Sequence, residues 1–386
     1  MGRLARAVLP TRYFDFTIQP RSMCYPALIL VIGSMPPPVH GASKNNALMA
    51  EYFRRRGCQV KVANTSSGEQ RARSWAAKRR KAVRFFLATW QIIASTVHRK
   101  GDRAARKLYI TIDGGHGLIG SFLNVAVARL LRWTIFVQHR SFAYIDRPNR
   151  WVAGLVACAG SNASHIFLCT RMREGFQCLY PKARNSRILS NACYIRPIDS
   201  LEKRLPGRFR LGHLSNLCPE KGFLTVIALL EELLAKGQDV ELHLAGQPFT
   251  ETDQMLVDAA CAKLRDRLIY AGPVYNEAKT AFLRRIDLFV FPTRYDNEAQ
   301  PKVLFEAMQY GVPCISYARG CIEDDLFGGG YVIPRDEDFV RCALPLVMRT
   351  IEDSSGIASA ALARARELRN VAELQFSSLL DEICGR

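Results

Sequence analysis

Two glutamates, Glu298 and Glu306, stand eight residues apart in FPTRYDNEAQPKVLFEAMQYGVPCISY (291–317). The first lies in a loop leaving an apolar strand and the second inside the following helix. At roughly 100° per residue, eight steps overshoot two turns by roughly 80°, so the carboxylates do not share one helical face. Glu298 precedes the helix and can reach a ligand at the helix N-terminus, while Glu306 meets a more distant part of that ligand. Free backbone N–H groups there favour a phosphate. For an arbitrary pair, the simpler reading is two solvated glutamates. Lys221, in HLSNLCPEKGF (213–223), adds a cation beside a turn glycine. Near a leaving diphosphate it would stabilise the charge that develops as a bond breaks.

In the N-terminal half, Gly41 in PPPVHGASKNN (36–46) lets the backbone approach a ligand, and Ser43 is placed to cap the next helix. His139, in FVQHRSFAYI (136–145), ends an apolar strand, where a cleft residue would stand. A single histidine is more often structural, and His40 and His116 have no supporting context.

The elements that must position these residues follow from short apolar runs alternating with helical periods. Strands are expected at 27–33, 59–66, 107–112, 134–139, 165–169 and 186–190, with a helix over 46–57 after the first. A linker with two prolines and mixed charges spans 195–208, and the pattern restarts. Strands at 209–215, 240–246, 267–272, 287–292 and 313–318 alternate with helices at 225–237, 276–285 and 301–311. The expected organisation is a leader over 1–25, a Rossmann-like domain over 26–200 and a second over 201–386. Each is a doubly wound α/β unit, with a ligand cleft between the carboxyl ends of the strands. The tail 357–383 is helical by period.

The NEAQP…LFEAMQYGVPCIS wording resembles the E-x7-E signature of the retaining GT-B glycosyltransferases of family 4. The resemblance spans roughly 27–330. It implies transfer of a sugar from a nucleotide-diphosphate sugar, with Glu298 on the transferred sugar, Glu306 on the ribose and Lys221 on the diphosphate. It also implies that His139 lies in the cleft near the sugar and that the backbone around Val274, in AGPVYNEA (271–278), recognises the base. Together with Glu298 and His139 as catalytic residues, the implied donor set is Asn216, Lys221, Val274, Gln300, Lys302, Val303 and Glu306. Gly41 and Ser43 form the acceptor-side loop. Relatives fold the C-terminal helix back across the domain junction. Two positions depart from the family pattern. Asn216 stands where many members carry Arg, and Gln300-Pro301 replaces Phe-Gly, which removes a backbone donor; Lys302 is the candidate replacement charge. No metal or other cofactor is expected, the nucleotide sugar being a co-substrate.

Charge separates the two halves. Residues 1–200 hold 32 Lys and Arg against 8 Asp and Glu, a net of +24, while residues 201–386 hold 22 against 27, a net of −5. The basic half therefore expects an anionic partner: a lipid-phosphate-linked glycan acceptor, and an anionic membrane surface beside it. No signature of specific nucleic-acid binding is present. Within 71–100, Val83, Phe86, Trp90, Ile93 and Val97 recur at helical spacing among Lys78, Arg79, Arg80, Lys81 and Arg84. That helix either docks on the sheet by this stripe or lays it on a membrane.

The chain has 386 residues, 48% of them hydrophobic, enough for two cores, and its longest apolar runs fall short of the roughly 18–20 residues that span a bilayer. Twelve cysteines without a C-x-x-C pair read as reduced thiols, several packed as small hydrophobes, with no signal-peptide pattern ahead of them. The setting expected is the cytoplasm, at the inner face of the membrane, in bacterial surface polysaccharide assembly. A GT-B nucleotide-sugar epimerase or hydrolase, and a basic binding protein without catalysis, are the alternatives.

Overall fold

Runs of four to seven apolar residues, rich in β-branched and aromatic side chains, make strands that can be buried on both faces. In the computed structural model, which describes residues 27–37, 41–66, 75–98, 106–112, 114–115, 117–198 and 207–385, they do so twice over. The 1–25 leader, His40, His116 and linker residues 199–206 lie outside the described residues.

The N-terminal half runs β1 (Leu28–Gly33), α1 (Gly41–Arg55), β2 (Gln59–Asn64), α2 (Trp75–His98), β3 (Arg106–Ile112), α3 (Gly117–Leu130), β4 (Thr134–His139), α4 (Ala143–Asp146), α5 (Arg150–Ala159), β5 (Ser164–Phe167), α6 (Thr170–Leu179) and β6 (Ser186–Ile188). Its sheet is parallel throughout in the order β2-β1-β3-β4-β5-β6. All six residues of β1 are buried, as befits a strand with helices on both faces.

The C-terminal half runs β7 (Phe209–Leu214), α7 (Phe223–Ala235), β8 (Val240–Ala245), α8 (Glu251–Leu264), β9 (Leu268–Tyr270), α9 (Asn276–Arg285), β10 (Leu288–Phe291), α10 (Lys302–Met308), β11 (Cys314–Tyr317), α11 (Ile322–Leu326), β12 (Gly330–Ile333), α12 (Phe339–Glu352) and α13 (Ser355–Cys384). Its order, β12-β11-β10-β7-β8-β9, again all parallel, is that of a dinucleotide-binding sheet, with the switch of direction between β7 and β10. The expected two-sheet α/β architecture is the observed one. The strand β12 escaped the sequence reading because its four residues, GYVI, follow a run of glycines.

Helix α13 joins the halves. Its Phe376 ring meets Tyr52 of α1 edge-on, with centroids 4.8 Å apart, and Asp381 takes a 2.6 Å contact from Arg56. Glu382 meets Arg187 at 2.7 Å and its carbonyl accepts from Lys107 Nζ at 3.3 Å.

Two expectations fail at this level. Cys169 and Cys321, 152 residues apart, are joined by a disulfide between the N-terminal end of α6 and that of α11, so the chain is not wholly reduced. Helix α1 also opens at Gly41 rather than 46. This places Ser43 inside the helix and fully buried, not in a loop capping it.

Candidate functional site

Between the carboxyl ends of the two sheets lies a cleft of about 400 Å³. The loops that build its C-terminal wall are held by backbone that only glycine allows comfortably. Gly222 sits at φ 88°, and a Cβ there would come within 2.5 Å of the Pro292 carbonyl. The turn after β7 can therefore fold against the end of β10. Gly246, at φ 134°, packs on the Ser215 carbonyl in the same way.

This packing brings Lys221, at the end of the β7 turn, against Glu298, in the loop after β10, as an ion pair. The Lys221 ammonium also stands 4.6 Å from the Tyr295 ring centroid, a cation–π contact that helps hold it. A second pair forms further along the cleft, between Glu306 of α10 and Lys279 of α9. Each carboxylate is thus opposed by one ammonium.

Three more cations line the same cleft: Lys44 of α1, Arg140 just after β4, and Lys302 at the start of α10. Lys302 Nζ donates to Asn45 Oδ1 at 2.7 Å, and Asn45 Nδ2 donates to Asn191 Oδ1 at 3.1 Å. Burial draws the Lys302 ammonium down to about 8; Glu306 opposes the shift, while Lys279, Arg140 and Lys44 add to it. Lys44 is lowered by partial burial and by Lys279. Arg140 is steered by Gln138, whose Oε1 accepts from its Nη2 at 2.6 Å, and by the Ala42 carbonyl at 3.0 Å. Five cations around two carboxylates leave an unbalanced positive field, the electrostatic condition for an anionic ligand such as a diphosphate.

Of the residues singled out from sequence, Gly41, Asn216, Lys221, Val274, Glu298, Gln300, Lys302, Val303 and Glu306 line this cleft. Gln300 does so with its side chain turned away. Its Oε1 accepts from Asn191 N at 2.7 Å and its Nε2 donates to buried Asp325 at 2.9 Å. It ties the two halves together. Ser43, buried within α1, is not part of the lining.

His139 requires correction. It is fully buried behind the cleft, not in it. Its Nε2 lies 3.0 Å from His165 Nδ1, its Nδ1 lies 3.3 Å from the Tyr144 hydroxyl, and its ring stacks on Phe167 at 4.7 Å. Burial, with His165 beside it, holds its imidazole well below the ordinary histidine range, so it is neutral. The next residue, Arg140, is the one that reaches the cleft.

Sequence reading missed Lys44, Arg140 and Lys279. Lys44 and Arg140 each directly follow a candidate that was chosen, Ser43 and His139, and for Arg140 the end of β4 was a usable signal. Lys279 carried none, because its significance lies in facing Glu306 from another helix.

Residues 208–348 match the family model described as Glycosyl transferases group 1. No curated protein matches the chain. Among solved structures, HepE from Anabaena in complex with UDP is similar, at 16% identity over 92% of this chain and 99% of that one, with a TM-score of 0.65. Sucrose-phosphate synthase from Thermosynechococcus elongatus is 15% identical over 92% and 99%, with a TM-score of 0.66. The lipopolysaccharide outer core galactosyltransferase WaaB is 14% identical over 91% and 98%, with a TM-score of 0.66. The fold is GT-B, two Rossmann-like α/β domains facing across a cleft, and residues 208–348 form a glycosyltransferase domain on it.

Proposed function

We propose that this chain transfers a hexosyl group from a nucleotide-diphosphate sugar, with retention of anomeric configuration, to an acceptor held against its N-terminal domain. The observation that carries the reading is the pairing of Glu298 with Lys221 at one place in the cleft and of Glu306 with Lys279 at another. A nucleotide sugar offers hydroxyl groups to the carboxylates and a diphosphate to the ammonium groups, so it can replace both internal ion pairs.

In this mechanism Glu298 accepts hydrogen bonds from the transferred sugar and Glu306 from the ribose. The base lies by the backbone around Val274. As the glycosidic bond lengthens, positive charge grows on the sugar and negative charge on the diphosphate. Lys221, with Lys302 and Lys279 in the same field, stabilises the second of these more strongly than the ground state, which is what accelerates the step. Lys302 supplies a charge where Pro301 leaves no backbone donor. HepE was solved with UDP-glucose as well as with UDP, which supports a nucleotide-sugar donor for this chain.

The acceptor in this reading is a lipid-phosphate-linked glycan in bacterial surface polysaccharide assembly, met at the cytoplasmic face of the membrane. The strongly basic N-terminal half favours such an anionic acceptor. A thermal-shift series with UDP-, GDP- and ADP-sugars tests the donor, since a ligand that binds the folded state raises the melting temperature. One series should stabilise the protein, and with acceptor present the product should keep the donor's anomeric configuration by NMR. An epimer or free sugar formed equally fast without acceptor would assign the site to the epimerase or hydrolase class instead.

A further inference from the structure

The long helix α2 is inside out for a surface helix of a soluble domain. Its buried face is made of Ala77, Ala88, Ile92 and Ser95, all at most 1% exposed. On the opposite side, taking roughly 100° per residue, Trp75, Val83, Phe86, Leu87, Trp90, Ile93 and Val97 fall within an arc of roughly 120°. That arc faces solvent: Trp75 is 78% exposed, Phe86 70% and Trp90 61%. The stripe seen in the sequence is therefore not the docking face.

Helix α3 extends the surface. It packs along α2 through Gly120, where a side chain would run into the Phe85 ring, and through a 2.7 Å hydrogen bond from Thr89 to Asn124. On the solvent side of this seam α3 exposes Ile119 and Leu123. An apolar, aromatic surface of this extent on two adjacent helices calls for a covering partner.

Charge says which partner. Helix α2 contains Lys78, Arg79, Arg80, Lys81 and Arg84 and no carboxylate. Arg84 is engaged with Ser66, and Lys78 and Arg79 are exposed in the first turns, next to the aromatic arc. Tryptophan and phenylalanine flanked by long cationic side chains suit the boundary between acyl chains and anionic headgroups. There the rings enter the apolar layer and the ammonium and guanidinium groups stay with the phosphates.

We propose that the outer face of α2, with Ile119 and Leu123 of α3, docks this protein on an anionic phospholipid bilayer. The attachment is peripheral, since among the described residues no helix is long and apolar enough to cross a membrane. The surface also stands near the acceptor side of the cleft: α3 starts just after Gly114, which packs against Asn297 in the cleft wall. This deepens the reading of a lipid-linked acceptor and rests on it for its biological purpose, but vesicle binding needs neither donor nor turnover. The two can therefore fail separately.

The test is flotation of the full chain with vesicles of phosphatidylcholine alone and of phosphatidylcholine mixed with phosphatidylglycerol. Binding should favour the anionic vesicles by at least about tenfold and weaken with salt. The double variant Phe86→Ser, Trp90→Ser should lose at least about tenfold in binding, with its melting temperature and donor-induced thermal shift kept. Lys78→Gln with Arg79→Gln should abolish the preference for anionic lipid. Equal binding of wild type and the double variant, or no vesicle binding by the wild type, would overturn the proposal. So would a wild-type dimer in light scattering that the double variant converts to monomer, because a second copy would then be the covering partner.

Discussion

Lys302 of the C-terminal domain is positioned by Asn45 of the N-terminal domain, through a 2.7 Å hydrogen bond that crosses the cleft. The cation that follows Pro301 in the cleft is thus aimed by the opposite domain. Its ammonium is also the most strongly perturbed cation of the cleft, drawn down to about 8 by burial.

Affinity for a nucleoside diphosphate should therefore fall as pH rises through about 8, where Lys302 loses its charge. Calorimetry with UDP at pH 7 and pH 9 should show binding several-fold weaker at the higher pH, even though the terminal phosphate carries slightly more negative charge there, which by itself would favour binding. Lys302→Met should bind weakly at both and lose the dependence. For stability the sign is opposite. Between about 8 and 10.5 the unfolded chain holds the proton that the folded chain has released, so this group adds stability as pH rises across that window.

Glu298→Gln and Lys221→Ala should each lower the rate of transfer by roughly 10²–10³, the usual loss when a group stabilising transition-state charge is removed. Glu306→Gln should act mainly on the KM for donor, because the ribose does not change charge during the reaction. Steady-state kinetics on folded variants checks this. Near-wild-type rates for both Glu298→Gln and Lys221→Ala would remove the site assignment.

Asp325 is buried, accepts from Gln300 Nε2 at 2.9 Å through Oδ1, and leaves Oδ2 without a partner in the structure. Burial pushes its carboxyl up to about 8. The unfolded chain gives up this proton near 3.8 and the folded chain keeps it to about 8, so the group's contribution to stability declines as pH rises through that window. Asp325→Asn keeps an oxygen for Gln300 without the titration. Its melting temperature should exceed that of the wild type at pH 7.5, with the gap narrowing toward pH 5.

The Cys169–Cys321 disulfide links α6 to α11, close to the cation–carboxylate contacts of Arg171 with Glu323 and Arg319 with Asp146. Proteolysis without reductant, followed by mass spectrometry, should recover a peptide pair linked through these two residues and absent after reduction. Cys169→Ser with Cys321→Ser should lower stability by about 2–4 kcal/mol, since the bridge closes a long loop in the unfolded chain. Oxidised protein with both thiols free would refute the link.

Most of the fold was legible because a buried parallel strand writes itself as a continuous apolar run, and a helix ends at Gly57, Gly237 or Gly311 for backbone reasons that need no partner. The cleft lining was legible where a motif held it locally, from Asn297 to Glu306 and around Lys221. It was not legible where two segments had to meet. His139 stands at a strand end, the right place for a cleft residue, yet the Phe167, Phe176 and Tyr144 rings close over it. The strand register turns Arg140 outward instead.

Chain order and side-chain type by themselves determined the two α/β units, the Glu298 and Glu306 spacing, the basic N-terminal half and the shared face of the α2 stripe. Each depends on neighbours within a few turns or strands. Tertiary structure alone decided that Lys279 faces Glu306, that Asn45 aims Lys302, that Cys169 reaches Cys321, and that the α2 stripe points outward. Periodicity shows which residues of a helix lie together. Which side of the helix meets the sheet is set by packing, and here the small face of Ala77 and Ala88 fits closest.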